Sequence, residues 1–160
     1  MGMKRAGSEA GGRAGARIAM DVLPLTDEEC WHYLRSQQLG RVAISVDGRL
    51  HIFPVNYAVG EHAIVFRTAP GAKLAHGVGS AVCFEIDGYD PHSLEGWSVM
   101  AWGTLEEITD LRNDRSRALR RLQVQPLAPG TRPHWVAIPV DSLSGRFFNG
   151  GWIVPGSFLG

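Results

Sequence analysis

The stretch RVAISVDGRLHIFPVNYAV, residues 41–59, limits the fold more than any other part of the chain. Val42, Ile44 and Val46 alternate with polar or small residues, the period of a strand with one buried face. Asp47-Gly48 then interrupts the pattern before a second strand-like run begins. An Asp-Gly pair tolerates positive φ at both central positions of a type I′ turn, so the two runs are expected to fold back as an antiparallel hairpin.

The rest of the chain reads around that hairpin. Upstream, Thr26 and Glu29 have the spacing of a capping box, with Asp27 and Glu28 at the positive end of the dipole and Gly40 as the stop. A helix is expected over 26–38, with Cys30, Trp31 and Leu34 inward. Downstream, HAIVFRT is a third strand, SAVCFEID a fourth and WSVMAWGTLEEI a fifth. GYDPHSLEG reads as a loop, residues 110–122 as a helix with Leu111, Leu119 and Leu122 inward, and HWVAIPVDSLSGRFF as a last strand or pair of strands. Strands in succession, with helices only at one end and between late strands, favour an antiparallel barrel or α+β arrangement over a doubly wound parallel sheet. Residues 1–20 are rich in Gly, Ala and Arg and nearly lack large apolar side chains, so a flexible tail is expected there, followed by one domain over 21–160.

Composition narrows the function. The formal net charge is +0, so the chain has no global electrostatic footprint for nucleic acid. Its longest apolar runs are too short to span a bilayer and no signal-peptide core is visible, which points to the cytoplasm. The two cysteines, Cys30 and Cys83, lack any CxxC or Cys/His context and read as reduced, buried thiols. Six histidines show no HxH or HExxH spacing, so no metal site is expected; no GxSxG elbow appears, and Glu106 and Glu107 suit cap and solvent roles.

Two neighbouring stretches carry possible chemistry. FRTAPGAKL, residues 66–74, is neither a Walker loop nor a GxGxxG turn. It does put the Thr68 hydroxyl, the amides of a Pro-Gly turn and Lys73 at a strand end, enough for a terminal phosphate monoester and equally suited to a surface turn. In FPVNY, residues 53–57, a mid-strand proline removes a ladder donor, so the strand is an edge, a bulge, or a place where something other than a strand meets the backbone. Asn56 and Tyr57 beside Phe53 and Val55 would suit a flat heteroaromatic ligand, as they would an ordinary edge strand. Trp97 and Trp102 lie five residues apart and should face opposite sides, one in the core and the other either over a ligand or a subunit interface or packed in the core as well.

Taken in order, GRVAISVDGRLHIFPVNY, VFRTAPGAKL and VCFEIDGYDPHSLEGWSVMAWGTLEEI resemble the pyridoxamine 5′-phosphate oxidase-like family, including its nitroimidazole-reductase-like members, over roughly residues 20–150. The resemblance implies a mainly β (α+β) fold, a six-stranded antiparallel split β-barrel with flanking helices. It implies a homodimer with one flavin mononucleotide (FMN) in each of two interface clefts. It also implies that Thr68 and Lys73, with Gly71, Ala72 and Arg67, hold the phosphate. Pro54, Val55, Asn56 and Tyr57 would line the isoalloxazine ring, which Trp97, Ser98 and Val99 would approach from a later strand. Many family members carry Arg-Lys where this chain has Ala72-Lys73, and the terminal Arg-rich, Trp-containing segment of the vitamin oxidases is not recognisable here.

The expected activity is therefore a flavin-dependent oxidoreductase acting on a small aromatic or nitro-heteroaromatic substrate, with no catalytic residue assigned. A deazaflavin cofactor held by Lys73, Arg67 and Arg41 or Arg49 is an alternative. Another is a non-enzymatic flavin- or haem-binding sensor or storage protein, whose arginine-lined helix over 110–122 meets an acidic partner.

Overall fold

The computed structural model describes residues 21–69, 77–125 and 130–149. In chain order the elements are β1 (Asp21–Leu25), α1 (Asp27–Ser36), β2 (Leu39–Val46), β3 (Arg49–Gly60), β4 (Ala63–Thr68), β5 (Ala81–Asp90), β6 (Glu95–Thr104), β7 (Glu106–Glu107), α2 (Asp114–Arg120) and β8 (His134–Asn149). Every strand pairing is antiparallel. Six strands, β8-β4-β3-β2-β5-β6, close on one another because β8 pairs at both ends of the series. Its first part, His134–Pro139, pairs with β4, and its second, from Val140 to Phe148, pairs with β6. This is the split-barrel fold implied by the resemblance, with β1 and β7 added to β8.

The ring closes through a register irregularity between Trp102 and Gly103, where a bulge bends the sheet from one partner to the other. A Cβ on Gly103 would collide with the Pro139 carbonyl, so the two backbones approach this closely only because the side chain is absent.

Inside the ring, Val42, Ile44, Ile64, Phe66, Phe84, Ile86, Val99, Ala101 and Ile138 are buried together, and α1 lays Cys30 and Leu34 against them. The capping box is formed: the Thr26 backbone N–H donates to Glu29 Oε2 at 2.7 Å, and the Glu29 N–H donates to Thr26 Oγ1 at 3.3 Å. A smaller cluster of Ala63, Val65, Ile108, Leu119, Val124 and Ala137 joins α2 to the other face of β4 and β8.

The Asp47-Gly48 hairpin forms as expected, with φ of 51° and 72°. Other expectations need correction. The helix expected over 26–38 spans Asp27–Ser36. His62 does not begin a strand. With Glu61 it makes a second left-handed turn, held because its carbonyl accepts from the Val140 N–H at 3.1 Å and its ring meets Trp31 edge-on. Most of GYDPHSLEG is ladder, paired as far as Asp90 and Glu95. Its glycines serve packing: a Cβ on Gly88 would lie 2.6 Å from the Trp97 ring, and one on Gly96 would strike Phe148. The late helix is confined to Asp114–Arg120, capped by Asn113, and Leu111 is 49% exposed rather than inward. HWVAIPVDSLSGRFF is one long strand, and β1 was not anticipated because it pairs only with β8, far along the chain. The expected tail over 1–20, and residues 70–76 with the Pro-Gly turn and Lys73 of FRTAPGAKL, lie outside the described residues.

Replacing Gly103 by alanine should lower unfolding stability by about 1–3 kcal/mol, the cost of forcing an extra methyl into a closed contact. The fall would be read from the urea midpoint at unchanged slope.

Candidate functional site

The site begins where β3 changes partner. Residues Arg49 to Asn56 pair with β2, while Tyr57 to Gly60 pair with β4. The Tyr57 N–H donates to the Gln38 carbonyl at 3.1 Å, so odd-numbered residues of β3 turn their backbone groups toward β2 and even-numbered ones away from it. Pro54 therefore puts its missing donor on the side that has no ladder partner among the described residues. Beyond Phe66, β4 continues through Arg67 and Thr68 with β8 alone. Pro54–Asn56 and Arg67–Thr68 thus border one opening, the split between β3 and β4.

Strand alternation sorts the expected contact residues. Tyr57 is buried, with its ring edge-on to Phe84 and its hydroxyl donating to the Leu34 carbonyl at 2.7 Å. Val55 borders the core, whereas Pro54 is exposed and Asn56 half-buried. Thr68 is the one polar residue in the buried set of described residues. Arg67, its neighbour, points to the opposite face, where its Nε donates to the Arg132 carbonyl at 2.9 Å and its guanidinium lies 5.3 Å from the Trp135 ring centre. Gly71, Ala72 and Lys73 lie outside the described residues.

Trp97, Ser98 and Val99 are not beside the split. They sit on β6, three strands from β3, about 14 Å along the sheet. The Trp97 ring stacks on Tyr33 at 4.4 Å and Val99 is fully buried.

Two cavities flank these strands. One of about 190 Å³ is lined by Gln38, Asn56, Tyr57, Gln123 and Gln125, four carboxamides brought together from three distant stretches. Such groups offer donors and acceptors without charge, as the edge of a neutral heteroaromatic ring requires. The glutamines gave no signal in the sequence because nothing near them in the chain marks them. A second cleft of about 510 Å³ lies over β5 and β6, lined by Glu85, Asp87, Tyr89, Ser98 and Phe148 among others. Arg41 stands at its edge, 3.2 Å from Glu85 and 2.8 Å from Asp87. Burial and the nearby Asp87 push Glu85 up from the ordinary carboxylate range, while Arg41 pulls it back.

Nucleophilic chemistry finds no support. Burial raises both thiols, with Asp27 and Glu29 adding to the effect at Cys30 and Glu85 at Cys83. His134 Nδ1 lies 2.7 Å from Glu107, a pair 27 residues apart that only the β7–β8 contact creates. Among the described residues no helix is long and apolar enough to cross a membrane.

The pyridoxamine 5′-phosphate oxidase family matches residues 26–147 of this chain. The uncharacterized protein Rv0080 of Mycobacterium tuberculosis is 33% identical over 104 residues, which cover 61% of this chain and 68% of the relative. The FAD binding protein from Mycobacterium smegmatis superposes with a TM-score of 0.66 at 34% identity, covering 79% of this chain and 97% of that one. A conserved protein of unknown function from Corynebacterium diphtheriae gives a TM-score of 0.65 at 30% identity, over 79% and 98%.

Tyr57 provides a test of the strand exchange. Burial holds its phenol far above the ordinary value of 10.0. Below that value both states keep the proton, so the contribution to stability is complete. As pH rises further the unfolded chain ionises first, and stability is lost progressively up to the folded value. Tyr57→Phe should cost about 1–2 kcal/mol at neutral pH and flatten the loss of stability in alkali, measured by denaturant unfolding across that range.

Proposed function

Because the chain belongs to the pyridoxamine 5′-phosphate oxidase family, we propose that it is a flavoprotein whose ring lies at the split between β3 and β4. We propose further that it is an oxidoreductase acting on a small aromatic or nitro-heteroaromatic substrate. One observation carries the reading: Pro54, with no ladder partner among the described residues on the side away from β2, lies two residues before Asn56, which with Gln38, Gln123 and Gln125 lines a cavity of uncharged carboxamides. A flat ring with hydrogen-bonding edges fits both. Pro54, Val55, Asn56 and Tyr57 would hold it chiefly through backbone, since the Tyr57 hydroxyl is already committed to Leu34.

The Thr68 hydroxyl, the Gly71 and Ala72 amides and Lys73 would take the phosphate; Arg67, turned to the opposite face from Thr68 and bonded to the Arg132 carbonyl, would assist only from beyond the strand end. FMN is the cofactor proposed. FAD is a second reading, favoured by the 34% identical FAD binding protein of Mycobacterium smegmatis. The deazaflavin alternative needs more cations, and Arg41 is occupied by Glu85 and Asp87. A bound flavin supplies hydride or electron transfer, and the chain supplies binding, orientation and exclusion of water. For the sensor reading, Arg112, Arg115 and Arg117 each lie against a carboxylate, which leaves less of the arginine-lined face around α2 for an acidic partner. A cytoplasmic location accords with two free thiols.

A homodimer completes the proposal. Across the outward face, Ile52 sits opposite Ala43, Ala43 opposite Cys83, and Cys83 opposite Trp102. Leu50, Ile52 and Trp102 are 84%, 67% and 37% exposed, an apolar band suited to burial against a second copy. A shared site would also explain why Trp97–Val99 lie far from Pro54 within one chain.

Absorption of the purified protein, with mass identification of the molecule released on denaturation, should show an oxidised flavin and name it as FMN or FAD. A colourless protein that takes up neither would sink the reading. Lys73→Ala and Thr68→Val should each reduce flavin retention at least several-fold, and unchanged retention in both would remove the phosphate from this strand end. Ile52→Glu should convert a dimer to a folded monomer in sedimentation analysis, whereas a monomeric parent protein would exclude the interface.

A further inference from the structure

Strand register gathers one set of side chains on the face of β5, β6 and β8 that turns away from the core. Glu85, Asp87 and Tyr89 alternate along β5 with the buried Phe84 and Ile86, so all three project outward. Tyr89 pairs with Gly96 and Gly96 with Phe148, while Asp87 pairs with Ser98. A Cβ on Gly96 would strike the Phe148 ring, which lies over β6 only because that side chain is absent. The result is the cleft of about 510 Å³, walled by Tyr89 and Phe148 and edged by the two carboxylates. Its size falls within the range of about 300–1,000 Å³ common for small-molecule sites. It begins at Glu85, two residues beyond Cys83 of the apolar band, and runs away from that band to Tyr89.

Among the described residues the lining carries two acids and no base. Arg41 reaches both acids from the edge with a single nitrogen, Nη1, which lies 3.2 Å from Glu85 Oε2 and 2.8 Å from Asp87 Oδ1. One guanidinium thus answers two carboxylates, and Glu85 Oε1 and Asp87 Oδ2 accept no hydrogen bond among the described residues. Arg146, opposite Ser98 on β8, shares this face, but it is exposed and stands outside the lining. A cation entering the cleft would gain twice: its charge pairs with the acids, and the aromatic faces attract it through their quadrupoles. A neutral or anionic guest gains neither.

We propose that this cleft is a binding site for a small organic cation, a flat ring bearing an amidinium or ammonium group, with that group against Glu85 and Asp87 and the ring beside Tyr89 and Phe148. Arg41 is then an internal cation that competes with the guest for the same two acids. The site does not rest on the flavin reading.

Full-length protein as purified is titrated by calorimetry near neutral pH with benzamidine, with its neutral counterpart benzamide, and with benzoate. Benzamidine should bind at least about tenfold more tightly than either. Asp87→Asn should weaken benzamidine about three- to tenfold, and Tyr89→Ala should weaken it by a smaller factor. Arg41→Gln gives a sign that a merely structural role would not: it should tighten benzamidine about threefold or more, because both acids are released. Absence of benzamidine binding, binding of benzamide or benzoate as tight as that of benzamidine, or unchanged affinity in Asp87→Asn would each overturn the site. Weaker benzamidine binding in a folded Arg41→Gln variant would do the same. Should Arg41→Gln fail to fold by thermal melting, Asp87→Asn decides, since its side chain is 55% exposed and its loss leaves the core untouched.

Discussion

Tyr57 is tied to the chain around the end of α1 by two hydrogen bonds, its backbone N–H to Gln38 and its buried hydroxyl to Leu34. That double attachment holds β3 against β2 at the residue where β3 takes up β4 on its other side. The opening beside Pro54 depends on it, because the two neighbours of β3 overlap little and each leaves part of the strand uncovered. The core fills the same point from inside, where Phe84 meets the Tyr57 ring edge-on. A ligand at the split would therefore rest on a backbone whose position is set by packing and by buried polar bonds, the rigid support that a binding site requires.

The second organising feature is the separation of charges by face. On the outer surface of β2 and β5, one guanidinium serves two carboxylates, so that patch is locally acidic and partly neutralised. On the far side of β4, two arginines, Arg67 and Arg120, share one indole and pair with no carboxylate among the described residues. An anionic ligand at the proposed split would meet the second environment at the end of β4, and the first on β2 and β5, beyond Pro54. Such an asymmetry would orient a ligand with one charged end and one flat neutral end.

The hairpin, the capped first helix and the antiparallel class were all legible in the sequence, since each follows from contacts within a few residues. Asp47-Gly48 specifies its turn whatever surrounds it, and Thr26 finds Glu29 three residues on. The Glu61-His62 turn was not legible. Its residues disfavour positive φ, and it exists because Trp31 and Val140 hold it from elsewhere. Nor did the glycines of GYDPHSLEG announce that they lie under aromatic rings, which are placed there by strand pairing.

For the site, the sequence by itself determined the pieces: a mid-strand proline followed by Asn-Tyr, a strand-end Arg-Thr, and the motif order shared with a family. Local chemistry suffices for these, because a proline lacks its donor and a hydroxyl its charge in any fold. Only the tertiary structure decided which pieces meet. It set Pro54–Asn56 across an opening from Arg67–Thr68, left Trp97–Val99 three strands away, and gathered Gln38, Gln123 and Gln125 where no motif marks them. It also turned Arg67 and Thr68 to opposite faces and gave Arg67 the company of Arg120 and Arg132. Those outcomes depend on register and closure across a ring of strands, which no single stretch of chain contains.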